Sequence, residues 1–226
     1  MKNLQVSAFK WVPPFAQGLV RDLRVRWAIE EAGRDYDAKL IDFEEQKSAS
    51  YRQMQPFCQV PAMDEDGLVL FESGAIVMHI AEQSGALMPS DPSDRARVKT
   101  WMFAALNTIE PPIAMLNFIE MMPGNDAPEI EALRSKLVNW IESRLDQLLA
   151  FLGEREYLVD NRFTAADLLM TTVLRILRTT DLVERRPKLA AYQSRCESRP
   201  AFSKALAAQL RTFAENAPPQ TQAARA

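Results

Sequence analysis

Strand-like patterns occur only in the first 85 residues of this 226-residue chain. Beyond them the apolar residues recur almost entirely at helical spacing. That break constrains the fold more than any single motif, because it divides the chain into a small α/β unit and an all-helical unit. In the first unit, Leu4 to Phe9 reads as a short strand. A helical segment through Leu23, Val25, Trp27, Ala28 and Ile29 stops near Gly33, and Tyr36 to Phe43 alternates again. Val60 to Met63 and Leu68 to Phe71 flank Asp64-Glu65-Asp66-Gly67, which predicts a β-hairpin. Gly74 to Gln83 predicts a helix closed by Gly85.

Proline, glycine and serine concentrate just after that helix. The reading therefore assigns residues 1–85 to one domain, 86–94 to a linker, 95–216 to a helical domain and 217–226 to a disordered tail. In the helical part, Pro111-Pro112 predicts a kink or interruption. Leu133, Leu137, Trp140, Ile141, Leu145, Leu148, Leu149 and Leu152 form one amphipathic stripe. Thr164 and Asp167 follow Phe163 and open the next apolar run in the manner of a capping box. Leu189, Tyr192 and Cys196 mark a further helix, and Pro200 starts another through Leu210.

With 47% hydrophobic and 25% charged residues, the composition is that of a globular protein with ample core. A net charge of −3 without blocks of one sign argues against nucleic acid, and no apolar run has spanning length. The start of the chain lacks the features of a signal peptide. Cys58 and Cys196 stand far apart, which points to a reducing, cytoplasmic setting. Two cysteines and His79 cannot make a conventional zinc site, and His79 reads as a packing residue on its helix.

Three groups of residues carry chemistry. In Gln59-Val60-Pro61-Ala62 a proline interrupts a strand pattern, which marks either an edge strand or a sharp turn beside a ligand site. Glu72-Ser73-Gly74 sets an acid and a hydroxyl where a helix begins, a pairing suited to an ammonium and a carboxylate. Gln46 and Lys47 lie upstream, and taken alone Lys47 reads as a solvated surface lysine.

The segments QPFCQVPAM, FESGAI, FTAADLLM and SRPAFSKAL, in that order over residues 3–213, resemble the soluble glutathione S-transferases. The resemblance implies a thioredoxin-like mixed sheet followed by an all-α helical bundle, the glutathione-transferase fold. It implies a cis proline at Pro61, with Val60 pairing to the cysteine of glutathione. Glu72 and Ser73 would hold the γ-glutamyl end, and Lys47, with Gln46 and Gln59, the glycine carboxylate. The partners it implies are glutathione as co-substrate, a small hydrophobic electrophile and a second copy of the chain, with no nucleic acid and no membrane. Cys58 and Gln55 depart from the family's glycine and asparagine, and a glycine at the first position suggests a positive φ there.

The family's thiol-activating Tyr, Ser or Cys is missing from the loop Phe9 to Asp22, and Ser7 lies within the strand pattern. Lowering a thiol pKa by two units from about 8.5 takes about 2.7 kcal/mol. One or two hydrogen bonds to a charged acceptor, at about 1.5–3 kcal/mol each, supply that. The candidate donors are the Trp11 indole, the backbone N–H groups of Phe15 to Gln17, the Gln17 amide and the Arg21 guanidinium. Trp11, Phe15 and the Met102–Phe118 helix are candidate walls for the electrophile. Two alternatives remain on the same fold: a non-catalytic ligand-binding or interaction protein, and a glutathione-dependent disulfide reductase or isomerase.

Overall fold

The computed structural model describes residues 4–218. Four strands form one sheet in the order β2-β1-β3-β4: β1 (Leu4–Phe9), β2 (Asp37–Ile41), β3 (Ala62–Glu65) and β4 (Leu68–Phe71). β1 and β2 run parallel, and β3 runs antiparallel to both of its neighbours. The β1–β2 crossover is α1 (Asp22–Glu31), which ends before Gly33 at φ 63°. α2 (Ala49–Met54) and α3 (Ser73–Ser84) complete this half, and Gly85 closes α3 in the left-handed region.

The hairpin is tighter than its sequence suggests. Asp66 (φ 52°) and Gly67 (φ 89°) alone make the turn, and the Gly67 N–H donates to Asp64 Oδ1. Asp64 and Glu65 consequently belong to β3, which begins only at Ala62. β3 is an interior strand, so Pro61 does not mark a sheet edge.

The helices of the second half are α4 (Pro92–Ala104), α5 (Glu110–Glu120), α6 (Pro128–Leu152), α7 (Ala165–Leu174), α8 (Pro187–Glu197) and α9 (Pro200–Glu215). A π turn over Ala105–Ile109 separates α4 from α5. Pro111 and Pro112 lack the N–H groups that a continuous α-helix needs there, and they occupy the first turn of α5, where those groups are not required. Most of the expected tail lies outside the described residues.

One continuous core spans both halves, from Leu4 and Val6 of β1 to Phe202 and Ala205 of α9. α1 is its centre: every residue from Asp22 to Ile29 is buried. The Trp27 ring meets Phe163 at 5.4 Å and Phe202 at 4.8 Å between centroids. Its indole donates to Glu31, which Arg199 of the helical half grips with two hydrogen bonds of 2.6 and 2.7 Å.

The capping box of α7 extends beyond its sequence signature. The Asp167 carboxylate accepts from the N–H groups of Thr164 and Leu158 and from the hydroxyls of Thr164 and Tyr192, at 2.9–3.0 Å. Burial raises its pKa to about 6 against the pull of these donors. Its contribution to stability is therefore greatest below the unfolded value of 3.8 and declines as pH rises through about 6, by about 3 kcal/mol in all. Asp167→Ala leaves two backbone donors and a phenol unpartnered and should cost at least about 3 kcal/mol in urea unfolding near pH 7. Asp167→Asn should flatten the pH dependence of stability between pH 4 and 6, measured as unfolding midpoint against pH.

Candidate glutathione site

Strand register brings the predicted residues to one end of the sheet. Ala62 pairs with Phe71, so Val60-Pro61 and Glu72-Ser73 lie side by side where the two strands leave the ladder. β1 reaches the same end, since Val6 pairs with Met63, and the loop after Phe9 starts there. β2 follows in parallel, with Phe9 opposite Ile41, which delivers the segment holding Gln46 and Lys47.

The Val60–Pro61 peptide bond is cis. Val60 precedes the first laddered residue, so its N–H and C=O stand beyond the sheet's own pairing. A hydrogen-bond relay fixes the backbone on either side. The Ala62 N–H donates to Ser7 Oγ at 2.7 Å, Ser7 and Tyr51 share a 2.8 Å contact, and Tyr51 donates to the Gln59 carbonyl at 2.7 Å. Ser7 is buried and committed to this relay. Cys58 has φ 54°, the positive value expected where the family carries glycine. Gln55 accepts from the Phe57 N–H through its side chain, and Gln46 donates to the Cys58 carbonyl. Gln46 thus braces the loop that carries Gln59. Lys47 is two-thirds exposed, and its one ion pair among the described residues is a 3.8 Å contact to Glu44.

Glu72 is the N-cap residue of α3, at φ 69° and ψ 113°. A non-glycine residue there carries about 1–3 kcal/mol of backbone strain. Its exposed carboxylate is in no ion pair within 4 Å among the described residues. Ser73 is the first helical residue, and its hydroxyl does not cap the helix: it accepts from Arg24 Nη1 at 3.2 Å. The first α3 N–H groups have no intrahelical partners. Arg24 also pairs with Glu110 at 3.0 Å, and Arg21 reaches the same oxygen at 2.8 Å. Burial raises the Glu110 carboxyl, but the two guanidiniums outweigh it and hold it below the ordinary carboxylate value. Beside Glu72 lies a cavity of about 330 Å³ lined by Gly74, Met78, Met102, Phe103 and Leu106. A Cβ at Gly74 would stand 2.5 Å from Leu106, so glycine permits this approach of the two halves. Trp11 and Phe15 do not line that cavity.

The loop after β1 is held from the helical half. Buried Gln209 accepts from the Gly18 N–H and donates to the Val20 carbonyl and to Asp22, while Arg178 donates to the Phe15 carbonyl. Within the loop, the Ala16 and Gln17 N–H groups close a 3-10 turn, and the Gln17 amide donates to the Val12 carbonyl. Arg21 is engaged by Glu110. Of the candidate donors, the Trp11 indole and the Phe15 N–H remain without a partner among the described residues.

Arg24, Glu110, Tyr51 and Gln209 escape a reading of the sequence. Its one signal is the charge at Asp22, Arg24 and Arg26 inside an apolar helical run. His79 is not a packing residue: it contacts Glu65 at 2.7 Å, in a polar cluster with Arg34 and Gln83. Among the described residues no group of His, Cys, Asp and Glu forms a metal cluster, and no helix is long and apolar enough to cross a membrane.

Comparison with known proteins agrees with this architecture. Residues 16–82 match the glutathione S-transferase N-terminal domain, and residues 108–200 the C-terminal domain. A glutathione S-transferase of Hyoscyamus muticus is 30% identical over 201 residues, which cover 81% of this chain and 92% of that protein. Glutathione S-transferase F13 of Arabidopsis thaliana is 32% identical over 168 residues, 70% of this chain and 76% of the relative. The crystal structure of glutathione transferase F7 from Populus trichocarpa superposes with a TM-score of 0.78 at 26% identity, covering 93% of this chain and 99% of that one. The chain belongs to the glutathione S-transferase family, a family of glutathione-transferring enzymes.

Gln209→Leu removes three hydrogen bonds at the loop and leaves the buried Gly18 N–H unpaired. It should cost about 2–4 kcal/mol of stability in urea unfolding. Exchange of the Gly18 amide, followed by NMR, should accelerate more than that of the β1 amides.

Proposed function

We propose that the protein conjugates the thiolate of glutathione to a small hydrophobic electrophile. The observation that carries this reading is the juxtaposition of an unladdered Val60 with an acid and a hydroxyl at the start of α3. Val60 pairs with the backbone of the glutathione cysteine. Because β3 is interior, this pairing is confined to the end of the sheet and does not extend along an edge strand. Glu72 takes the γ-glutamyl ammonium, and Ser73 with the α3 N-terminus takes its carboxylate. Lys47 takes the glycine carboxylate, with Gln59 alongside and Gln46 steadying the loop. Structures of related fold were solved with glutathione bound, including a Pseudomonas fluorescens family member with a TM-score of 0.79 at 24% identity.

The thiol would be activated by donors other than a hydroxyl, and Trp11 and Phe15 are the candidates left unpaired. Gln17 and Arg21 then shape the loop. The thiol proton leaves to solvent, sulfur forms a bond to the electrophilic carbon, and the leaving group departs with its electron pair. Proximity and stabilisation of the thiolate supply the rate enhancement, with no covalent enzyme intermediate. The protein would act in the cytoplasm as a homodimer. Phe57 and Phe103, 67% and 57% exposed, suit burial against a second copy.

Calorimetric titration with glutathione, the thiolate absorbance of the complex against pH, and turnover of an aryl halide test this reading together. Binding, a depressed thiol pKa and turnover are expected. Binding without the other two would favour a non-catalytic ligand-binding protein, for which the missing loop hydroxyl speaks. Ser73→Ala and Glu72→Gln should each weaken glutathione about 10-fold or more. Unchanged affinity in both variants would refute the site. Phe57→Ala with Phe103→Ala should shift sedimentation from dimer toward monomer.

A further inference from the structure

We propose that Arg24 is a positioning residue that gives the site its selectivity for a carboxylate at the amino-acid end of the peptide, acting through Ser73. This rests on the assignment of Ser73 to the γ-glutamyl carboxylate. Arg24 is buried, with 4% of its side chain exposed, and it can only donate. One nitrogen donates to Ser73 Oγ at 3.2 Å and another pairs with Glu110 at 3.0 Å. A hydroxyl has one proton and two lone pairs. With Arg24 on a lone pair and no acceptor among the described residues, the Ser73 proton is directed outward, toward an incoming anion.

The charges around Ser73 reinforce this orientation. Arg24 and Arg21 share the single carboxylate of Glu110, which leaves one net positive charge behind the hydroxyl. Glu72, on the solvent side, leaves one net negative charge. The charges of Arg21, Arg24, Glu110 and Glu72 thus cancel but are polarised, positive inside and negative outside. A γ-glutamyl group, carboxylate inward and ammonium outward, is their complement. Arg24 makes no direct contact with the peptide in this arrangement. It sets which way the Ser73 hydroxyl points and supplies charge behind it.

The test compares glutathione with γ-aminobutyryl-cysteinylglycine, which keeps the ammonium and lacks the α-carboxylate. Both peptides are titrated into wild type, Arg24→Met, Ser73→Ala and the double variant. Wild type should prefer glutathione by at least about 30-fold. Arg24→Met should lose at least about 10-fold of affinity for glutathione and less than about 2-fold for the analogue. The double variant should bind glutathione no worse than the weaker single variant. Equal losses for both peptides would reduce Arg24 to a structural role, and additive losses would separate it from Ser73. Either result overturns the proposal. If Arg24→Met fails to fold because Glu110 is left buried and unpaired, Arg24→Met with Glu110→Met removes both charges, and the same comparison decides. Wild type that fails to discriminate between the peptides would refute the Ser73 assignment itself. Wild-type discrimination that survives in the variants would refute only the part given to Arg24.

Discussion

Burial of α1 from Asp22 to Ile29 is the constraint on which the rest depends. The helix carries Asp22, Arg24 and Arg26 within an apolar run, and none of the three reaches bulk solvent. A buried charge is tolerated only when paired. Asp22 pairs with Arg26 one helical turn on, and Gln209 of α9 completes its shell. Arg24 finds Glu110 at the start of α5 and Ser73 at the start of α3. Each partner comes from a different element, so satisfying one helix fixes the relative placement of α1, α3, α5 and α9. The same contacts surround the candidate ligand site. Structural neutralisation and the proposed ligand recognition therefore meet at Ser73.

Much of the architecture was legible where local chemistry decides it. The Asp66-Gly67 turn, Gly33 and Gly85 after their helices, and the capping box at Thr164 and Asp167 are all fixed by short-range preferences. The replacement of a glycine by Cys58 left the backbone there open in the sequence, and its φ of 54° keeps the region that glycine favours. What stayed hidden depends on residues distant in the chain. Nothing near Arg24 names Glu110, and nothing near His79 places Glu65 of β3 beside α3. Strand-like composition begins at Val60, two residues ahead of β3, because composition does not show where pairing starts and the ladder begins at Ala62.

The first loop illustrates the same division. Its sequence shows plainly that it lacks a Tyr, Ser or Cys. Which of its donors are free is a tertiary fact. The 3-10 turn at Pro14–Ala16 uses two backbone N–H groups internally, and the Gln17 amide bonds back to Val12. Arg178 and Gln209 then hold the loop from outside, at Phe15 and Gly18. Gly18 itself is required, with φ 76° and its Cβ position 3.3 Å from both Arg178 and Leu206. A loop built mainly of apolar residues and prolines is thereby given one shape by side chains from α9 and the turn after α7.

The single core that runs from β1 to α9 has a bearing on how such a chain can be divided. A cut between α3 and α4 looks natural from the sequence, since the pattern changes there. It would strip Trp27 of Phe163 and Phe202 and leave Arg24 without its counter-ion. The excised sheet fragment would keep the residues proposed to face the peptide yet lose the scaffold that orients them. Swapping either half for a homologous one therefore requires the lining of this seam to be exchanged together with it.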